Sequence, residues 1–356
     1  MQIKIKQKPV LISHKIGSSF LIKNTSFFVT IYPGLLWFKD LNSKKQFRLF
    51  LNFQGPQKRF TVLHDLKNGQ LKIFFETNLG FFSYKIKNDS NKKLILFFEN
   101  LPNNVTEIKS DSDANFKKIS AKESISLPIE QINDLQVEEQ LSFGVLKKQD
   151  IELIKKREDL LEILPFIFML SQYYLDTSAY ASKNVFIENL KTLMQNNEKI
   201  LLEEALHNVY KALFFDAFVP RANDEEYQNI GIFKEEPGVS PVMVFSELYR
   251  IIKSLLINED ADGLYLLPCL LVSLHHGKAV NLKVSFGLVD LEWSKKILKK
   301  VVIRSADDLK IKLNLQAKIK NFRLKEDEQG KGKICQNSDE ITLKKNRVYY
   351  LDNFKK

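Results

Sequence analysis

The residues best suited to chemistry lie in a polar loop at positions 220–240, which reads PRANDEEYQNIGIFKEEPGVS. Its carboxylates include Asp224, Glu235 and Glu236. Hydrolysis of a glycosidic bond requires two carboxyl groups across that bond, one protonated and one ionised. Asp224, Glu235 and Glu236 are therefore candidate catalytic residues, and a solvated acidic loop before a Pro-Gly turn is the alternative interpretation.

Three other side chains of this loop are candidates for substrate binding. Arg221 and Asn229 could hydrogen-bond to sugar hydroxyls, and Tyr227 could stack on the face of a sugar ring. Alternatively, these three residues are ordinary polar side chains of a surface loop that have no role in binding.

Residues with the usual spacing of metal sites are missing from the sequence. His275 and His276 are adjacent, without a Cys or carboxylate at motif spacing, and a turn is the favoured explanation. Cys269 and Cys335 are too far apart for a metal motif, and Cys269 lies in an apolar segment typical of a buried thiol. Phosphate-binding, dinucleotide-binding, zinc-protease and nucleophile-elbow motifs are all absent. We expect no metal and no cofactor.

The charge is strongly positive, because 54 Lys and Arg outweigh 43 Asp and Glu, a net charge of +11. Such a balance is typical of proteins that attract nucleic acid, acidic lipid or an acidic polymer. It also arises when solvated lysines are spread along the surface. The lysines here are not concentrated in one arm, and no run is interleaved with aromatic residues, so no nucleic-acid partner is predicted.

Targeting signals are not evident. The first six residues alternate apolar and charged side chains, without the apolar core of a signal peptide. The longest mostly apolar run, at 166–175, is about half the length of a membrane-spanning helix. These features predict a cytoplasmic protein without a membrane span.

The elements that must position the candidate residues form three blocks. Residues 1–143 show short runs with a period of two, separated by turn residues, which predicts an antiparallel β-sandwich. Residues 144–258 change to a helical period and predict four to six helices, with a kink or a restart at Pro165 and a final helix that begins at Ser240-Pro241. Residues 259–356 return to strands.

The junction of the last two blocks resembles a known family. It carries a "D-G" pair, an "L-L-P" strand end and a hairpin with a Trp and a terminal "I-R-S". The residues that carry the resemblance are Asp262, Gly263, Leu266, Leu267, Pro268, Gly287, Val289, Asp290, Glu292, Trp293, Leu298, Val301, Ile303, Arg304 and Ser305. This stretch resembles α-L-fucosidase-like glycoside hydrolases of the (α/α)6-barrel clan, and the similarity covers positions 238–305.

The resemblance implies an architecture and a reduced activity. The family's barrel has twelve helices and needs about 250 residues or more, so the helical block here must be a reduced layer. The family's "Q-I-D-G-N-F-G" motif can be placed in two ways. Its Asp is then replaced by Pro237 or by Ile230. Trp293 matches a packing residue of the family rather than a sugar platform.

The sequence therefore predicts an α+β multidomain protein: an N-terminal antiparallel β-sandwich, a reduced all-helical middle layer and a C-terminal antiparallel β-domain. The predicted function is that of a degenerate, non-catalytic glycoside-hydrolase-like protein that binds carbohydrate. An active glycosidase that uses the loop at 220–240 is one alternative. A protein-interaction scaffold is the other.

Overall fold

Antiparallel β-sheets dominate the chain. The computed structural model describes residues 3–6, 9–53, 55–132, 135–145, 149–175, 184–216, 218–221, 241–326 and 329–356. Strands make up 44% of the structure, and five α-helices lie in its described part. The prediction of a β-rich α+β multidomain protein is confirmed, and five helices agree with the four to six expected from the sequence.

The two sheets of the N-terminal block contain twelve short strands, and one 3₁₀ turn lies at Pro102–Asn104. The strands are β1 (Val10–Ser13), β2 (Ser18–Leu21), β3 (Phe27–Tyr32), β4 (Leu35–Asp40), β5 (Gln46–Leu51), β6 (Lys58–Asp65), β7 (Gln70–Thr77), β8 (Gly80–Asn88), β9 (Leu94–Asn100), β10 (Val105–Ser110), β11 (Lys117–Ser120) and β12 (Ser124–Ser126).

These strands form two six-stranded sheets, in the orders β1-β6-β7-β8-β9-β12 and β11-β10-β5-β4-β3-β2. In β7 alternate residues are buried in the core, namely Leu71, Ile73 and Phe75. Phe53, which follows β5 of the second sheet, packs 5.0 Å from Phe75 of the first between ring centroids. The two sheets therefore share one apolar layer, as in a β-sandwich.

The middle block is helical. It contains α1 (Ile151–Arg157), α2 (Leu160–Ser171), α3 (Val185–Gln195), α4 (Lys199–Leu213) and α5 (Pro241–Leu256), with the short strands β14 (Phe214–Phe215) and β15 (Val219–Pro220) after α4. Helices α2 and α5 pack together through Phe168 and Tyr249, whose rings stack at 5.3 Å. Tyr174, after α2, donates a hydrogen bond to the carbonyl of Thr25 at 2.8 Å and joins the helices to the sandwich.

The helical break lies earlier than the sequence predicted. Pro165 is inside α2, and the chain breaks instead at Glu158, which takes a left-handed conformation with φ 52°. Asp159 then caps α2 by accepting a hydrogen bond from the backbone N–H of Leu161 at 3.0 Å. The helix does not restart at Pro165, because the stop and start signals at 158–159 decide where one helix ends and the next begins.

The C-terminal block returns to strands. They are β16 (Ile257–Asp260), β17 (Gly263–Leu266), β18 (His276–Val284), β19 (Gly287–Ser294), β20 (Ile297–Ser305), β21 (Leu309–Asn314), β22 (Asn321–Lys325), β23 (Lys333–Gln336), β24 (Glu340–Leu343) and β25 (Val348–Lys355). One sheet has the order β16-β17-β21-β24, in which β17 and β21 are parallel. All its other pairs are antiparallel.

One strand joins a sheet that its position in the sequence did not predict. Strand β13 (Gln140–Ser142) falls within the range 1–143 assigned to the sandwich, yet it pairs with β18. It forms the edge of a seven-stranded sheet in the order β13-β18-β19-β20-β25-β22-β23. The segment before α1 therefore reaches the C-terminal β-structure, and the boundary at 143 does not separate the two sheets.

Candidate functional site

The loop singled out from the sequence falls almost wholly outside the described residues. Asp224, Glu235 and Glu236, the candidate catalytic residues, are among those not described, as are Tyr227 and Asn229. Their predicted roles stay predictions.

Arg221 is the one candidate that the structure describes. Its side chain is buried, its Nε donates to the carbonyl of Ala212 at 2.7 Å, and its Nη2 donates to the carbonyl of Lys211 at 3.0 Å. The guanidinium thus satisfies carbonyls in the last turn of α4, where positive charge is favourable. Its observed contacts are structural, and the predicted contact with sugar stays a prediction.

Two consecutive carboxylates, Glu138 and Glu139, lie at the meeting point of the three blocks. Glu138 accepts hydrogen bonds from Lys23 Nζ at 2.6 Å and from the hydroxyl of Tyr173. Lys23 follows β2 in the sandwich, and Tyr173 follows α2. The backbone carbonyl of Glu138 accepts from Asn281 Nδ2 in β18 at 3.2 Å.

Glu139 is fully buried and engaged on every side. Its carboxylate accepts from Lys253 Nζ at 2.9 Å, from the backbone N–H of Lys283 at 2.6 Å and from the hydroxyl of Tyr249. Burial and then the negative charge of Glu139 raise the pKa of Tyr249 above its ordinary value. Because buried charges require such partners, this carboxylate stabilises the junction of α5 with β18. It has no open side for a substrate.

An open cleft of about 670 Å³ lies elsewhere, at one end of the sheet that contains β17 and β21. Its lining combines five lysines with amide, aromatic and aliphatic side chains. The lysines are Lys199, Lys295, Lys296, Lys318 and Lys356. No Asp or Glu is among the described residues that line it.

The tip of the β19–β20 hairpin supplies two of these lysines. Lys295 and Lys296 join Ser294 to its cross-strand partner Ile297, and both have positive φ, 52° and 60°. Two central residues with positive φ define a type I′ turn, in which Asn and Gly are the favoured residues. Lysines at both positions are locally unfavourable, which indicates a role beyond turn formation.

Gln316 fixes this tip from the neighbouring segment. Its Nε2 donates to the carbonyl of Lys296 at 2.6 Å, and its Oε1 accepts from the backbone N–H of Leu298 at 3.1 Å. Both ends of the amide are therefore used to hold the hairpin. The two lysine side chains project from a turn that is anchored on both sides.

The N-terminal end of α4 borders the same cleft and brings Lys199. The N-cap position is Glu198, whose side chain makes no capping hydrogen bond, and the first turn contains no acidic residue. Acidic side chains are normally favoured at this end of a helix, since it carries partial positive charge. Lys199 therefore adds to the positive potential of the cleft.

The cleft lysines lack carboxylate partners in the part of the chain that the structure describes. Some lysines elsewhere are paired, such as Lys85 with Glu99 at 2.7 Å and Lys253 with Glu139 at 2.9 Å. Five unpaired cations in one concave region repel each other and focus positive potential. A bound anion would relieve that repulsion.

The floor of the cleft is apolar and locally strained. Leu266, Leu267 and Leu270 are buried beneath it, and Tyr265 contributes a half-buried ring. Leu267 has φ 54°, an uncommon conformation for a branched side chain, and its N–H donates to the carbonyl of Leu256 at 2.8 Å. The "L-L-P" segment of the family resemblance thus forms the floor of this cleft.

Sequence reasoning missed the cleft, because its lysines are distributed over positions 199–356. Only the Lys295-Lys296 pair is visible as a local signal. Trp293, by contrast, was predicted to pack in the core. It is buried, and its Nε1 donates to the carbonyl of Leu274 at 3.1 Å, so that prediction is confirmed.

The described residues contain no group of three or more His, Cys, Asp or Glu side chains arranged to hold a metal ion. None of the described helices is long and apolar enough to cross a membrane. Comparison of the chain with known protein-family models and with curated proteins finds no match.

Proposed function

We propose that this protein binds an acidic carbohydrate in the lysine cleft and does not hydrolyse it. The observation that carries the proposal is a concave site with five lysines that have no described salt-bridge partner and no described Asp or Glu in its lining. A carbohydrate ligand is what the family resemblance at 238–305 implies. The positive charge of the cleft indicates that this carbohydrate is acidic.

The composition of the lining favours a sugar over a nucleic acid. Nucleic-acid grooves stack successive bases on several aromatic rings and often use arginine. This cleft offers a single ring, Tyr265, and no arginine among its described residues. Asn197 and Asn314 supply amide groups of the kind that pair with hydroxyls. One aromatic ring with amides and cations suits a short acidic oligosaccharide.

The same lining disfavours hydrolysis at this place. Glycosidases require two carboxyl groups at a defined separation. The described walls of the cleft supply no Asp or Glu side chain. A bound acidic sugar would therefore be held by its charge and hydroxyls without an acid or a nucleophile at its glycosidic bond.

Isothermal titration calorimetry tests the proposal. We expect oligosaccharides that contain uronic acid or sulfate to bind, and neutral oligosaccharides of equal length to bind at least tenfold more weakly, about 1.4 kcal/mol. The affinity should fall as salt is raised, because exposed charges are screened.

A pair of charge-matched variants makes the test specific to the cleft. Lys295→Gln/Lys296→Gln removes two cleft charges and should abolish most of the binding. Lys44→Gln/Lys45→Gln removes two exposed charges in the turn after β4 and should leave it unchanged. Equal losses of affinity in both variants, or an affinity that does not depend on the charge of the sugar, would refute the proposal.

The loop at 220–240 supports an alternative, an active glycosidase, because Asp224, Glu235 and Glu236 provide enough carboxyl groups. Hydrolysis of a panel of aryl-glycosides tests for glycosidase activity. Activity that is lost in Glu235→Gln/Glu236→Gln would favour this alternative over a non-catalytic protein.

A further inference from the structure

Three large aliphatic side chains are exposed on two segments that reach the rim of the lysine cleft. The exposed fractions are 65% for Ile200, 48% for Leu201 and 41% for Val272. Ile200 and Leu201 lie in the first turn of α4, directly after Lys199. Val272 lies on the loop that follows β17 and itself lines the cleft.

The two rim segments are joined to each other. The backbone N–H of Ser273 donates to Glu203 Oε2 of α4 at 3.0 Å. Val272 is the residue before Ser273, and Glu203 lies one turn after Ile200 along α4. The first turn of α4 and the loop at Val272 are therefore adjacent at the edge of the cleft.

Helix packing does not require these side chains. The buried stripe of α4 includes Leu202, Leu206, Val209 and Leu213, whose spacing matches one face of a helix. Ile200 and Leu201 fall outside this stripe. Single exposed aliphatic residues are common on protein surfaces, but a group beside five unpaired lysines is a specific combination.

That combination suits the boundary of an anionic lipid layer. Aliphatic side chains enter the region between headgroups and acyl chains, while lysines beside them contact negatively charged headgroups. A soluble acidic ligand would account for the lysines alone. It would give no reason for Ile200, Leu201 and Val272 to be exposed around them.

We propose that the rim formed by Ile200, Leu201 and Val272 docks on an anionic lipid surface, so that the lysine cleft receives an anionic headgroup presented by that surface. The inference rests on the proposed function in one respect, the preference of the cleft for an anion. It adds a partner, the lipid surface. The aliphatic rim and the cationic cleft then bind to one target.

Vesicle flotation tests this inference with two membranes: phosphatidylcholine alone, and phosphatidylcholine mixed with phosphatidylglycerol. We expect the protein to bind the mixed vesicles at least about tenfold more tightly, since each lysine near a charged surface adds attraction. Ile200→Ser/Leu201→Ser should lower this affinity about tenfold or more. Lys295→Gln/Lys296→Gln should lower it similarly.

The control for lost aliphatic surface is Leu79→Ser/Val105→Ser. These two residues of the sandwich block are 47% and 44% exposed, and their change should leave vesicle binding intact. Thermal unfolding of each variant confirms that the fold is kept. If Ile200→Ser/Leu201→Ser binds mixed vesicles as the unchanged protein does, the inference is wrong.

Soluble acidic oligosaccharides separate this inference from the proposed function. Ile200→Ser/Leu201→Ser should bind them normally, whereas Lys295→Gln/Lys296→Gln should not. If no soluble oligosaccharide binds while vesicle binding depends on both pairs, the proposed function fails and the lipid inference stands. If soluble oligosaccharides bind and vesicles do not, the proposed function stands and the lipid inference is wrong.

Discussion

Lys295 and Lys296 lie in a conformation that their side chains disfavour. A left-handed backbone costs a non-glycine residue roughly 1–2 kcal/mol. Both residues have positive φ, and Gln316 holds the turn in place. The hairpin tip therefore gives up local stability while it places two cations at the cleft, as is common at functional sites.

Replacing this tip with the favoured turn should separate stability from binding. We expect Lys295→Asn/Lys296→Gly to raise the free energy of unfolding by about 1–2 kcal/mol, because Asn-Gly suits a type I′ turn. The same variant should lose affinity for acidic ligands. Urea denaturation and calorimetry measure the two quantities. Lys295→Gln/Lys296→Gln should lose affinity without the gain in stability, and unchanged affinity in both would contradict the assigned role.

His64 is a second residue whose environment conflicts with its chemistry. It is fully buried in β6, and its ring contacts Phe20 edge-on at 5.8 Å. Burial, and then the charge of Lys23, lower the pKa of His64 from 6.5 to about 3. The ring is therefore neutral in the folded protein at every pH above that value.

This shift predicts a loss of stability in mild acid. The unfolded chain takes up a proton near pH 6.5, whereas the folded chain does so only near pH 3. Stability is therefore complete above pH 6.5 and falls as the pH decreases towards 3, by up to about 1.4 kcal/mol per unit. Urea denaturation at pH 7 and pH 5 should show this slope.

The slope should be smaller in His64→Leu than in the unchanged protein. His275→Gln, which alters an exposed histidine, should keep the full slope. A slope that is the same in His64→Leu would assign the acid sensitivity to other groups.

At the scale of elements, alternation in the sequence predicted the strands well. Leu71, Ile73 and Phe75 are all buried in β7, because side chains of a strand alternate between its two faces. The helix break was predicted less well, since Pro165 is a more visible signal than the left-handed Glu158. Proline disfavours a helix but does not forbid it, whereas a left-handed residue followed by a capping Asp ends one helix and begins another.

The anchoring of the β19–β20 hairpin by Gln316 can be tested by removing its side-chain amide. Gln316→Ala removes two hydrogen bonds and leaves the carbonyl of Lys296 and the N–H of Leu298 without those partners. We expect the free energy of unfolding to fall by about 1–3 kcal/mol. Affinity for acidic ligands should fall with no change in charge, because the tip is no longer fixed. Unchanged affinity would mean that the tip does not need this anchor.

At the scale of the whole molecule, the site depended on contacts that the sequence does not show. The cleft lysines come from α4, from the β19–β20 tip, from the segment after β21 and from the last residue. Strand β13 is only three residues long and pairs with β18 across more than a hundred positions. The block boundaries could be predicted from changes of period, but such pairings have no local pattern.

Glu139 should be among the most sensitive positions for stability. Glu139→Ala leaves Lys253 and Tyr249 without their buried partner, which we expect to lower the free energy of unfolding by about 3 kcal/mol or more. Glu76→Ala removes a surface pair with the largely exposed Arg59 and should cost less than about 1 kcal/mol. Urea denaturation measures the free energy of unfolding of both variants. Equal losses would show that Glu139 is no more important for stability than a surface ion pair.

The position of Glu138 and Glu139 also has a consequence for the lifetime of the folded state. Apart from the bond to Tyr173, their side-chain hydrogen bonds reach residues 110 to 144 positions away, in Tyr249 and Lys283 among others. Closing such long loops is slow, so these bonds should form after the main barrier to folding. Changes at Glu139 should therefore speed unfolding and leave the rate of refolding nearly unchanged. How long the protein persists once folded then depends on two adjacent carboxylates.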